Sequence, residues 1–133
     1  GNINKAIEYL TLAANQGSLE SQNLLGLIYM ERRYNAYDID KAIYYLKIAA
    51  DQNFIESQYN LGFIYATEDY ERKNIELAKK YLTLAAEQNF PMAKNVLGFI
   101  YLDIDFKTAI DYFSYASNAN VLEAQYMLGN IYF

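Results

Sequence analysis

Residues 41–65 read KAIYYLKIAADQNFIESQYNLGFIY, and the recurrence of this stretch decides the fold. Its last five residues hold a Leu-Gly-x-x-Tyr signature, Leu61-Gly62 with Tyr65. The signature returns at Leu25-Gly26 with Tyr29, at Leu97-Gly98 with Tyr101 and at Leu128-Gly129 with Tyr132. Successive signature glycines are 36, 36 and 31 residues apart. Ala42 at the head of the stretch has counterparts in Ala6, Ala78 and Ala109, each 20 residues ahead of a signature Gly. Three residues after each stands a Tyr (Tyr9, Tyr45, Tyr81, Tyr112), and seven after each another Ala (Ala13, Ala49, Ala85, Ala116). Several positions agreeing in four registers mark a repeat architecture, whose units bury their apolar faces only against neighbours.

Both halves of the repeat carry helical periodicity. Ala6, Tyr9, Leu10 and Ala13 follow the i, i+3, i+4, i+7 rule, and Ser21, Leu25 and Ile28 do the same with Tyr29 flanking. Between the halves, Gly17, Asn53, Asn89 and Asn120 share one position, where a left-handed residue is expected to end the first helix. Pro91 suits the first turn of its helix, where a missing N–H is harmless. The pattern predicts helix blocks near 4–16, 19–31, 39–52, 55–67, 74–88, 91–102, 106–119 and 121–132. The expected fold class is all-α, a right-handed α/α solenoid of stacked antiparallel helix pairs with about four repeat units. Residues 1–133 read as one array, begun and ended within a repeat, with neither end polar like a capping unit; this predicts further flanking repeats or a partner at the ends.

A Gly inside a helix costs about 1 kcal/mol relative to Ala. Its return in every signature predicts a close helix approach, with the small alanines of the partner helix facing it. The recurring tyrosines, eight of the 15 in the chain, are expected to fill the space between repeats. Length varies in one connection only: twelve residues separate Tyr29 from Ala42 and Tyr65 from Ala78, but seven separate Tyr101 from Ala109.

Composition narrows the function. The 133 residues are 53% hydrophobic and 20% charged, which favours a folded chain, and one Pro with six Gly leaves little material for linkers. A net charge of −5 argues against nucleic acid, whose phosphates require clustered cations. The basic runs are the pairs Arg32-Arg33, Arg72-Lys73 and Lys79-Lys80, the first two beside acidic residues. With neither Cys nor His, the usual zinc ligands, the Ser–His and Cys–His pairs and any disulfide are unavailable. No phosphate-cradling Gly-rich loop is present, so neither metal nor cofactor is expected. No apolar run approaches membrane-spanning length, and no secretory pattern opens the chain. The absence of Cys permits a reducing cytoplasm without requiring it, and the compartment stays unassigned.

Lys41-Ala42, Tyr45, Ala49-Ala50, Asn53, Ser57-Gln58, Leu61-Gly62 and Tyr65, with their counterparts, resemble the Sel1-like repeat family, relatives of the tetratricopeptide repeats. The family's connection often carries two glycines and an Asp. Asp38 fits the Asp position and Asn74 is its weaker counterpart, whereas Arg32 and Tyr34, then Glu68 and Tyr70, occupy the glycine positions. The resemblance implies a scaffold or adaptor that binds a peptide or protein, with the signature helix lining the concave face.

On that helix the stripe opposite the core carries the candidate partner-binding residues. They are Glu20, Asn23, Leu27 and Met30, then Glu56, Tyr59 and Phe63, then Asn95 and Phe99, then Glu123, Tyr126 and Asn130. Met92, Leu102 and Phe133 extend it. Leu27, Phe63 and Phe99 form an apolar ladder that suits either an interface or the core. The acidic rim fits a partner with apolar and basic side chains. End-to-end self-association is the alternative. A carboxylate-dependent cell-wall or glycan hydrolase is the remote one, because Asp38 with Asp40 and Asp103 with Asp105 form Asp-x-Asp pairs. Each pair sits near a helix start, where Asp serves as a cap, so no catalytic residue is assigned.

Overall fold

The computed structural model describes residues 1–133 and is all-helical. Its helices are α1 (Ile3–Asn15), α2 (Leu19–Met30), α3 (Ile39–Ala50), α4 (Ile55–Ala66), α5 (Ile75–Glu87), α6 (Pro91–Tyr101), α7 (Phe106–Asn118) and α8 (Leu122–Tyr132). The chain forms two compact units, Gly1–Leu61 and Gly62–Phe133, whose boundary falls inside α4. In the first, α2 packs most extensively on α3; in the second, α6 does so on α7.

One capping scheme recurs. Asn2, Asp38, Asn74 and Asp105 start α1, α3, α5 and α7, and each side chain accepts the N–H three residues on, at 3.1, 3.1, 3.1 and 3.3 Å. The ends are equally uniform. Gly17, Asn53, Asn89 and Asn120 have φ of 93, 68, 63 and 66°. In α3, the Asn53 N–H donates to the Ala50 carbonyl and the Phe54 N–H to the Ala49 carbonyl, at 3.0 and 3.1 Å. This doubly closed left-handed turn repeats after α1, α5 and α7, so the second Ala of each register stands where its carbonyl closes the turn. A buried Gln clasps the same turn from the next helix. Gln22 and Gln58 donate Nε2 to the Ala14 and Ala50 carbonyls at 3.1 and 3.2 Å. The exposed Gln125 does the same to Ser117 at 3.1 Å. Lys94 replaces Gln in α6 and rests its amine 3.3 Å from the Tyr115 ring centroid.

The signature glycines do mark close approaches, but not to alanines. A Cβ on Gly26 would collide with Leu46, one on Gly62 would lie 2.6 Å from Leu82 Cγ, and one on Gly98 would lie 2.7 Å from Phe113 Cε1. Each Gly is thus a hole for the large side chain four residues after the first Ala of the following helix. Leu46, Leu82 and Phe113 are fully buried there. The alanines matter elsewhere: Ala42, Ala78 and Ala109, also fully buried, keep those helices slim.

Signature tyrosines stack on the following helix. Tyr29 lies over Tyr45 with centroids 6.1 Å apart, Tyr65 over Tyr81 at 6.5 Å and Tyr101 against Tyr112 at 5.9 Å. Beside each stack, the signature Tyr carbonyl accepts the N–H of the next N-cap residue. Asp38 donates to Tyr29 at 2.8 Å, Asn74 to Tyr65 at 2.8 Å and Asp105 to Tyr101 at 2.9 Å. This pin explains why one connection can shorten without altering the helix pair: every connection closes onto the same backbone acceptor.

Candidate interaction surface

The stripe residues fall into three physical groups. The first is buried. Asn23 and Asn95, expected on the partner-facing stripe, are only 8% and 1% exposed. Asn23 Oδ1 accepts from Ser57 Oγ at 2.8 Å and from Asn60 Nδ2 at 3.1 Å, so α2 and α4 share a polar layer inside the first unit. Asn95 Nδ2 donates to Glu123 Oε1 at 2.7 Å, tying α6 to α8 inside the second. Both asparagines serve helix-to-helix contacts, which corrects their placement on an open stripe. A buried amide needs a partner. The signal was present in the sequence: Ser57 and Asn60 lie one turn apart on one face of α4.

The second group is half-buried and comprises Met30, Tyr59 and Phe63. The third is exposed: Glu20, Leu27, Glu56, Phe99, Glu123, Tyr126 and Asn130, joined by Met92. Leu27 and Phe99 are 38% and 37% exposed, and Tyr126 is 69% exposed. The ladder therefore divides its surface between packing and solvent. Phe99 shows how: one edge meets the buried Phe113 ring at 5.1 Å with planes 83° apart, and the rest of the ring faces outward. Glu123 is not a bare rim charge, because it holds the Asn95 amide.

Three of the four Asp-x-Asp carboxylates lie at helix starts, and the fourth, Asp103, stands in the turn after α6. Asp38 and Asp105 are N-caps, and Asp40 lies in the first turn of α3. The Asp105 carboxyl lies below its ordinary range because Thr108 donates to it through its hydroxyl, at 2.9 Å, and its backbone N–H. Such a carboxylate is held ionised and fixed, which suits a cap and not a proton donor. No group of three or more acidic side chains is placed to hold a metal ion. No helix is long and apolar enough to cross a membrane.

Comparison with known proteins follows the same lines. The Sel1 repeat family model matches residues 1–18, 19–54, 55–90 and 122–133. Residues 91–121 lie outside the match; they hold α6, the contracted connection and α7, yet keep the glycine hole and the tyrosine pair. Among solved structures, the chain is similar to c5321, a protective antigen of uropathogenic Escherichia coli strains that displays an SLR fold. The TM-score is 0.86 and the identity 29%, over 93% of this chain and 28% of that one. It is also similar to a Sel1 repeat protein from Oxalobacter formigenes, with TM-score 0.79 and 29% identity over 90% of this chain and 36% of that one. The chain thus spans about a third of the length of these proteins or less. No curated protein matches it significantly. With its repeats, helix pairs and solved neighbours in agreement, the chain belongs to the Sel1 repeat family and folds as an all-α solenoid of such repeats.

Proposed function

We propose that this chain is a protein-interaction scaffold that binds a peptide or protein segment along the outward faces of its signature helices. Sel1 repeats generally serve as such scaffolds, and the reading rests on one observation: apolar and aromatic side chains stay exposed at a repeating register while the rest of that register is packed. Leu27, with Glu20 nearby, offers such a face in the first unit; Met92, Phe99 and Tyr126 offer one in the second. Exposed aromatic and aliphatic groups beside carboxylates suit a partner with apolar and basic side chains. Residues 1–133 act as one array in this reading, since the same registers run through both units. A Leu27→Glu, Tyr126→Ala double variant changes two exposed positions. Affinity capture with the intact chain and the variant, compared side by side, tests the proposal. Loss of the captured partner with an unchanged unfolding midpoint supports it, and capture indifferent to both changes refutes it.

A second reading is favoured by α8. Gly129 has no heavy atom within 4 Å of where a Cβ would stand, and Tyr132 is 73% exposed. Its glycine hole and tyrosine face are thus open to a helix bearing Leu and Tyr at the usual register, which a second copy carries. A strict monomer in sedimentation at high concentration removes this reading.

A further inference from the structure

We propose that the cavity at the C-terminal end of α6 anchors a bulky apolar side chain that a partner peptide presents next to a Lys or Arg. The inference rests on the scaffold reading above and names the partner chemistry of one site. The cavity has a volume of about 310 Å³ and an apolar wall of Ile75, Val96, Phe99, Ile100 and Ile104, with Lys73 and Asp103 among its lining. It lies within the second unit.

The contracted connection opens this site. From the signature Tyr to the next N-cap, the first two connections run from Tyr29 to Asp38 and from Tyr65 to Asn74, whereas the third runs only from Tyr101 to Asp105. The long connections carry the half-buried Tyr34, Tyr37 and Tyr70. The short one brings no aromatic residue. Ile104 is left 59% exposed in this short connection. Exposed apolar surface beside an apolar cavity is a recurrent mark of an interaction site.

Charge selects the occupant. The Lys73 amine is 3.1 Å from Glu68, and that pair carries no net charge. The exposed Asp103 carboxylate has no such cation. A cation next to the apolar anchor meets that carboxylate. An acidic or purely apolar segment would leave Asp103 uncompensated beside the bound chain.

The test is selection of a random-peptide display library on the intact chain, followed by fluorescence anisotropy of the recovered synthetic peptides at low salt. They are measured with wild type and with Asp103→Lys, Ile104→Glu and Tyr126→Ala, each checked by circular dichroism. The proposal expects peptides with an apolar residue adjacent to Lys or Arg, weakened on the order of tenfold or more by Asp103→Lys and by Ile104→Glu. Peptides that bind, ignore both changes and are lost with Tyr126→Ala overturn the pocket and leave the scaffold reading standing. Recovery of no peptide overturns both. If the chain dimerises and Asp103→Lys abolishes the dimer, the occupant is a second copy and the peptide assignment falls.

Discussion

Replacing the signature glycines by alanine produces opposite effects at equivalent positions, and the pair Gly98 and Gly129 isolates the reason. In an exposed helix interior Gly→Ala gains about 0.8–1.0 kcal/mol of helix propensity. At Gly98 the new Cβ would stand 2.7, 2.8 and 2.8 Å from three carbons of the Phe113 ring. Carbon atoms rest at about 3.5–4.0 Å, so the ring must retreat by roughly 1 Å. It has little room to do so: Phe113 is fully buried and Phe99 leans on it edge-on at 5.1 Å. Overpacking of this kind costs about 1–3 kcal/mol, which leaves Gly98→Ala destabilised by up to about 2 kcal/mol after the propensity gain. At Gly129 nothing lies within 4 Å, so Gly129→Ala keeps only the gain, about 0.5 kcal/mol near a helix end. About half of the propensity effect cancels between the two variants, so their difference, about 0.5–2.5 kcal/mol, is chiefly the overpacking. At roughly 4 °C per kcal/mol, the midpoints separate by about 2–10 °C in thermal unfolding followed by circular dichroism. Equal shifts of the same sign at both positions would refute the claim that close approach is what the signature glycine provides. Gly26 supplies a check, because its neighbour Leu46 is flexible: in a cycle with Leu46→Ala, the double variant is less destabilised than the two single effects added together.

Three further outcomes follow from local geometry. Asn120→Ala loses about 1 kcal/mol in urea unfolding because its φ of 66° penalises a Cβ without a local hydrogen-bonding side chain, whereas Asn120→Gly stays close to wild type. Asp105→Ala lowers the unfolding midpoint at pH 7 and Asp105→Asn lowers it less, since Asn still accepts the Thr108 N–H. The Asp105 carboxyl is lowered from its ordinary 3.8. Its charge-dependent contribution is therefore complete above that value and disappears as pH falls through the lower folded pKa, so wild type and Asp105→Asn converge in acid. The Tyr112 hydroxyl is raised above its ordinary 10.0, chiefly by burial and then by Tyr101 and Glu87. Wild type should lose stability relative to Tyr112→Phe as pH climbs beyond about 10 and not before, as read from unfolding midpoints between pH 8 and 11.

What the sequence reveals depends on whether a residue's role is set by its own repeat or by its neighbours. The left-handed turn at Asn53 is local: one residue type fits, it recurs at fixed spacing, and its meaning needs no tertiary context. The N-caps Asp38 and Asp105 are local in the same sense, which is why they read as helix chemistry from spacing alone. The glycine hole is half local. Spacing says that something comes close at Gly62, but the identity of the knob depends on which face of α5 turns inward. Leu82 and Tyr81 both recur, and only the packed pair shows that Leu82 enters the hole while Tyr81 stacks on Tyr65. The interaction stripe is the least local. Asn23 and Tyr126 occupy one register, yet one is 8% exposed and the other 69%, because burial there is decided by the next signature helix. Asn23 meets Ser57 and Asn60, and no such pair covers Tyr126. Helical periodicity assigns a face to a residue; only the neighbouring repeat determines whether that face is seam or surface. The shortened Tyr101–Asp105 connection is a departure of the same non-local kind: Ile104 within it is left 59% exposed, while the Tyr101–Tyr112 pair and its backbone pin stay in place.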